Sequence, residues 1–233
     1  MQPTIRRDLF TQEVFDSGSL GSLVSVIHRF DCAGTYSGRV LRHGAPAGSF
    51  AFIVDPQSEA RQLSIDLSEA AEGRHSSCCD GDDPSHWVVS PSGYVLFYAS
   101  RGRGYATLVA EGGQRQPVFD SSMLRAGDLF ALSLIEPTTY HATDRIGGGK
   151  AGIAVKRDPK RTRNLRNLEP VYVEVGQGTM QPHEIEPASA QGIVFRINTE
   201  SRIVVQKTGK TPDDASRVLH RSFRADASVQ NKK

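Results

Sequence analysis

The sequence lacks most features that would assign it to a chemical class. Three cysteines occur in 233 residues, two of them adjacent, and that is no disulfide framework. No apolar stretch approaches the length of a membrane-spanning helix. Residues 1–18, MQPTIRRDLFTQEVFDSG, contain no signal-peptide hydrophobic region, because Asp8, Glu13 and Asp16 interrupt every apolar run, and the expected address is cytoplasmic. Charge of one sign is also lacking. Twenty-eight Lys and Arg against 26 Asp and Glu leave a formal net charge of +2, so no global field invites nucleic acid.

The linear signatures of common chemistries are missing too. There is no Gly-x-Ser-x-Gly elbow, no phosphate loop, no dinucleotide fingerprint and no His-Glu-x-x-His, which lowers the expectation of an enzyme. A cupin-type metal motif around Gly127, Asp128, Pro137 and His141 fails because the Asp-to-Pro interval is too long. A catalytic site assembled from distant segments leaves no linear trace, so that alternative stays open.

What the chain does carry is a succession of short alternating runs. With 22 Gly, 12 Pro, 38% hydrophobic and 23% charged residues, it has the composition of a turn-rich folded protein. Residues 22–30, SLVSVIHRF, set Leu23, Ser25 and Ile27 opposite Val24, Val26 and His28. Residues 49–54 place Phe50, Phe52 and Val54 on one face, and residues 62–67 place Leu63, Ile65 and Leu67 on one face. Each reads as a strand. Residues 94–99 and 105–110 flank SRGRG and are predicted to form a hairpin tipped by Arg101 and Arg103. SEAAE, residues 68–72, is the one early helical piece. Turn signals between closely spaced strands, with no βαβ alternation, predict an all-β sandwich.

Residues 124–156, LRAGDLFALSLIEPTTYHATDRIGGGKAGIAVK, read as the closing part of that sandwich. Phe130, Leu132 and Leu134 alternate with Leu129, Ala131 and Ser133, Pro137 ends the strand, and residues 138–143 make another. Gly147, Gly148 and Gly149 then turn the chain into a strand carrying Ile153 and Val155. The segment LIEPTTYHATDRIGGGKAGIAVK resembles the end of a cupredoxin, and residues 171–198, VYVEVGQGTMQPHEIEPASAQGIVFRIN, resemble the start of another. The resemblance covers about 50 residues in two patches. It implies a Greek-key β-sandwich and, in active members, a copper site of two His, one Cys and an axial Met. Those ligands do not carry over. Asp144 or a neighbour stands where the Cys is expected, no His or Met follows in residues 145–151, and Ser201 and Arg202 stand near the place of the first His. A blue-copper centre needs thiolate and imidazoles together.

A boundary is expected at residues 156–170, KRDPKRTRNLRNLEP, dividing a sandwich domain (1–155) from a smaller β-rich unit (171–233). Lys156, Arg157, Lys160, Arg161, Arg163 and Arg166 lie there among prolines. They read either as a solvated linker or as a contact strip for an acidic partner surface or polyanion. No aromatic side chains interleave them to stack bases, which argues against nucleic acid. In the smaller unit Val171, Val173 and Val175 share one strand face, and Ile193, Phe195 and Ile197 another. Residues 202–207 add a third strand. Thr211, followed by Pro212, Asp213 and Asp214, signals a helix running to about Phe223, with a frayed tail beyond. So few strands supply one sheet and cannot bury both of its faces. They are expected to pack on the first domain, on a second copy or on another protein, with edge strands available for pairing.

The richest candidate for chemistry is HSSCCDGDDPSH, residues 75–86. His75, Cys78, Cys79 and His86 supply the nitrogen and sulfur ligands that zinc or copper accepts, and Asp80, Asp82 and Asp83 add oxygens. Adjacent cysteines do not easily both reach one tetrahedral ion, and the same residues also suit a polar inter-strand loop or a redox pair. His28 and Cys32 form a second conceivable metal pair, although a core histidine with one hydrogen bond is the commoner arrangement. Three functions follow in order of expectation. The first is a non-enzymatic interaction or assembly component, acting as a homo-oligomer or on a protein partner. The second is a zinc- or copper-binding protein using the 75–86 loop, and the third is an enzyme with an assembled site.

Overall fold

A computed structural model of the chain describes residues 7–73, 87–112, 114, 116–157 and 167–209. Short alternating runs broken by Gly and Pro become strands, and the regular structure of the described residues is mostly β, arranged in three sheets. The largest sheet has seven strands. They are β3 (Val24–His28), β6 (Gln62–Asp66), β8 (Tyr94–Tyr98), β11 (Leu129–Ser133), β14 (Val171–Gly176), β15 (Thr179–Gln181) and β17 (Gly192–Ile197). Their spatial order is β15-β14-β17-β11-β3-β8-β6. The pairs β14 with β17 and β6 with β8 are parallel, and the other neighbours antiparallel.

Two smaller sheets accompany it. One runs β10 (Phe119–Asp120), β9 (Arg103–Glu111), β4 (Gly34–Arg42), β5 (Ala45–Val54) and β7 (Val88–Val89), with β2 (Leu20–Gly21) also against β9. The other runs β1 (Val14–Asp16), β18 (Ile203–Lys207), β12 (Thr139–Asp144), β13 (Lys150–Ala154) and β16 (Glu184–Ile185). β4 turns into β5 through His43 and Gly44, at φ 51° and 81°. Successive positive φ values are what a two-residue hairpin turn of matching twist requires, and Gly meets the second at no steric cost.

The core lies on one face of the seven-stranded sheet. Val24, Val26, Val95, Phe97, Phe130, Leu132, Val173, Val175, Ile193 and Phe195 are all buried there. Against its β3–β8 part sits an aromatic cluster from the β4–β5 sheet. The Phe97 ring is stacked 5.1 Å from Phe119, Phe50 lies 5.9 Å from Phe97, and Phe30 packs on Phe52 at 5.1 Å. Offset and edge contacts of this kind add to area burial. Tyr140, Ala142, Ile153, Ile203 and Val205 of the β12–β18 sheet continue the same hydrophobic cluster, and β13 runs against β15.

Among the described residues the one α-helix, α1 (Leu67–Ala71), starts where Asp66 ends β6. The Asp66 carboxylate accepts from Ser68 N (2.9 Å), Ser68 Oγ (2.6 Å) and Ser100 N (3.1 Å), an N-cap that satisfies otherwise orphaned donors. Burial pushes its pKa up, and these hydrogen bonds more than reverse that, leaving it below the ordinary carboxylate value. α1 packs on β5 at Gly48, where a Cβ would strike the Ala70 carbonyl.

Two expectations about strand pairing change. Residues 94–98 and 103–111 do not form a hairpin, because β8 pairs with β3 and β6 while β9 pairs with β4, β10 and β2. The SRGRG segment carries the chain from one sheet to another. Likewise, residues 171–207 do not make a sheet of their own. β17 pairs with β11 and β18 pairs with β12, so their apolar faces are buried against strands from the first part of the chain. The expected helix from Thr211 lies outside the described residues.

Candidate interaction surface

The register of the seven-stranded sheet defines its second face. Pairing places Glu174, Arg196, Leu129, Ile27, Leu96 and Ser64 in one row across the strands, and Tyr172, Val194, Ala131, Ser25, Tyr98 and Asp66 in the next. Directly opposed side chains of this sort form continuous ridges. Asp66 is buried as the α1 cap, and every other residue in the two rows is exposed or half-buried. Tyr172 and, just beyond the rows, Tyr94 keep 44% and 42% of their surface accessible. The middle of the face carries Leu129, Ala131, Ile27 and Leu96, with Ser25 as the one polar group among them.

Apart from the buried Asp66, charge on these rows lies at one margin and is internally compensated. Arg196 Nη1 donates to Glu174 Oε1 at 3.1 Å, Asn198 Nδ2 donates to Glu174 Oε2 at 3.1 Å, and the Arg196 guanidinium lies 4.1 Å from the centre of the Tyr172 ring. The sequence carried a signal for this face. A strand that meets water on one side alternates apolar with polar, whereas YVLFY and LFAL are apolar at successive positions. The edges of the sheets are a second resource. Among the described residues β6 pairs only with β8, and β15 only with β14.

Asp144, at or beside the place where the cupredoxin resemblance expects the Cys, and Ser201, near that of the first His, are hydrogen-bonded neighbours. Ser201 Oγ donates to Asp144 Oδ2 at 3.0 Å, while the backbone N–H groups of Arg202 (3.1 Å) and Ile146 (3.0 Å) donate to Oδ1. Asp144 and Ser201 are both buried, and the donors satisfy the carboxylate that burial would otherwise penalise. Arg202 turns its guanidinium to Asp16, donating from Nε at 3.1 Å and Nη2 at 2.8 Å. That hydrogen bonding raises the Arg202 pKa against the opposing effect of burial. The arrangement staples β1 and β18 to the end of β12. It offers hard oxygen and guanidinium groups, the opposite of a soft copper set.

His75, Cys78, Cys79 and His86 lie outside the described residues. Among the described residues no three His, Cys, Asp or Glu side chains are grouped to hold a metal ion. His28 is engaged as a core histidine, with Nδ1 2.6 Å from Asp128 Oδ1 and its ring 4.5 Å from both Phe30 and Phe119. Cys32 is exposed. Of the basic strip, Lys156 is tied down: its N–H donates to Pro187 O at 2.9 Å and its Nζ lies 3.2 Å from Glu186. Arg157 is also described, while Lys160, Arg161, Arg163 and Arg166 fall outside the described residues.

A cleft of about 710 Å³ opens beside β1, lined by Glu13, Asp16, Ser19, Ser22, His43 and Arg103 among others. Asp16 is already committed to Arg202. Proton affinity is shifted elsewhere. Burial, with Glu136 adding to it, pushes Tyr140 up to about 12, and burial likewise raises Tyr36, with smaller contributions from Glu111, Cys32 and Asp31. Tyr36, Asp66, Tyr140 and Arg202 do not line the cleft, so shifted titration and concavity do not coincide as they do in many active sites. No described helix is long and apolar enough to cross a membrane. Comparison with protein-family models, curated proteins and solved structures gives no match.

Proposed function

We propose that the chain is a non-enzymatic interaction or assembly component, built from β-sandwich units of cupredoxin-like type without a copper site. The observation that carries this reading is the second face of the seven-stranded sheet, apolar through its middle and flanked by accessible tyrosines. Contiguous apolar surface of this kind marks association sites in folded proteins, and accessible tyrosine supplies contact area at low entropic cost. Edge strands β6 and β15 offer backbone pairing as a further mode of contact. The basic residues from Lys156 to Arg166 supply a contact strip for an acidic partner surface on the same reading.

Native mass spectrometry of protein purified without chelator tests the proposal, since one spectrum reports subunit number and bound metal together. The expected result is a metal-free assembly. A monomer carrying one zinc or copper would overturn it and move the function to His75, Cys78, Cys79 and His86.

A further inference from the structure

We infer that the groove on the outer face of the β4–β9 pair is a binding site for a small monocarboxylate, with Arg39 as its anchor. The site is separate from the second face of the seven-stranded sheet and does not depend on the interaction reading. Strands β4, β5 and β9 each have one face in the core, where Tyr36, Val40, Phe52, Tyr105 and Val109 are buried. Ser37, Arg39, Leu108 and Ala110 therefore project from the opposite side of the sheet. Pairing sets Arg39 between Leu108 and Ser49, and Ser37 between Ala110 and Ala51. Apart from Leu108 these neighbours are small, which leaves a hollow beside the arginine stem.

The turn that leaves β9 forms the wall of this hollow. Gly112 N donates to Thr35 O, Gln114 N to Glu111 O and Val118 N to Val109 O, each at 2.8 Å, so the turn is fixed to the strands it adjoins. Ser37, Arg39, Leu108, Ala110, Gln114 and Pro117 together line a groove of about 300 Å³, at the small end of ligand sites.

Charge selects the ligand. Among the described residues the Arg39 guanidinium makes no ion pair, and the Ser37 hydroxyl and the Gln114 side-chain amide make no hydrogen bond. No carboxylate is among the groove's described lining residues, whereas the cleft beside β1 sets Glu13 and Asp16 alongside Arg103. One fixed cation with two neutral hydrogen-bonding groups matches a single negative charge, and a guanidinium holds a carboxylate through two parallel N–H···O bonds. Leu108, Ala110 and Pro117 are then left to meet the hydrocarbon part of the ligand. A strongly hydrated dianion such as phosphate gains nothing from those contacts.

The test titrates butyrate into the isotopically labelled full chain and follows amide and arginine side-chain resonances at fixed ionic strength. Saturable shifts confined to the two strands and the turn are expected, with a Kd on the order of 1 mM. Arg39→Gln is expected to weaken binding at least about 10-fold, and Arg39→Lys, which keeps the charge but loses the planar fork, to weaken it less. Ala110→Leu keeps every charge and fills the groove, so it is expected to abolish the response; mere attraction to a surface cation would survive it. Inorganic phosphate and butylamine are each expected to bind at least about 10-fold more weakly than butyrate. Both altered positions lie outside the core, and amide dispersion in the same spectra reports whether each variant is folded. The inference is overturned if butyrate gives no saturable shift, if folded Arg39→Gln or Ala110→Leu binds as the wild type does, or if phosphate binds as tightly as butyrate.

Discussion

On β3, β8, β11 and β17 the inner residues Val26, Phe97, Phe130 and Phe195 are withdrawn from solvent, while their immediate neighbours Ile27, Leu96, Leu129 and Val194 remain half-exposed. The two sets belong to the same strands and are chemically similar. One is covered by two other sheets, and the other has no buried member among the described residues of its rows except the Asp66 cap. Hydrophobicity alone therefore does not say what a residue is for. In this sheet the covered face contributes folding stability, while the same residue types on the other face stay half-exposed.

The sharpest way to break that comparison is to truncate one residue on each side of β8. Phe97→Ala removes a ring in contact with Phe50 and Phe119 and is expected to cost about 3–5 kcal/mol. Leu96→Ala, one position away, should cost less than about 1 kcal/mol in the dissociated chain. Urea unfolding at low protein concentration measures both. Equal losses would mean that the second face is buried after all.

A smaller contrast separates two carboxylates. Asp144→Ala strips the acceptor from Ser201 Oγ and from the N–H groups of Arg202 and Ile146, at a cost of roughly 3 kcal/mol. Glu174→Ala removes an exposed partner of Arg196, with an effect within about 0.5 kcal/mol. Similar values for the two in thermal unfolding would remove the distinction between staple and surface.

An intermediate effect belongs to Asp66, the residue of the second face that is buried. Asp66→Asn exchanges a charge-assisted acceptor for a neutral one and should cost about 1 kcal/mol at neutral pH. Because the folded pKa is depressed, the unfolded chain takes up the proton first as pH falls. The stabilisation is therefore complete above the ordinary aspartate value and declines as pH drops from there through the folded value. Unfolding curves of wild type and Asp66→Asn should thus converge in that acidic window. Parallel curves would show that the cap does not depend on the charge.

Much of the local structure was legible in the chain. The faces of residues 23–28, the alternation of 129–134, the hairpin joining Tyr140 to Ile153 and the valine face of 171–175 all follow from side chains pointing alternately to opposite sides of a strand. The hairpin expected across residues 94–110 did not form. A Gly-rich turn looks the same in sequence whether the chain returns to its own sheet or crosses to another. The second face was harder to read for a related reason. Successive apolar residues in YVLFY and LFAL reveal that both faces are apolar, but give no sign of which one the fold covers.

By itself, then, the sequence pointed to the all-β class and to the positions and apolar faces of many of the strands, since these depend on neighbours a few residues apart. Only the tertiary structure decided that β11 pairs with β17, that β18 joins β12, and that one face of the seven-stranded sheet meets two other sheets. Strand pairing joins residues far apart along the chain. It is selected by the burial of the whole apolar surface together, for which no single segment carries the information.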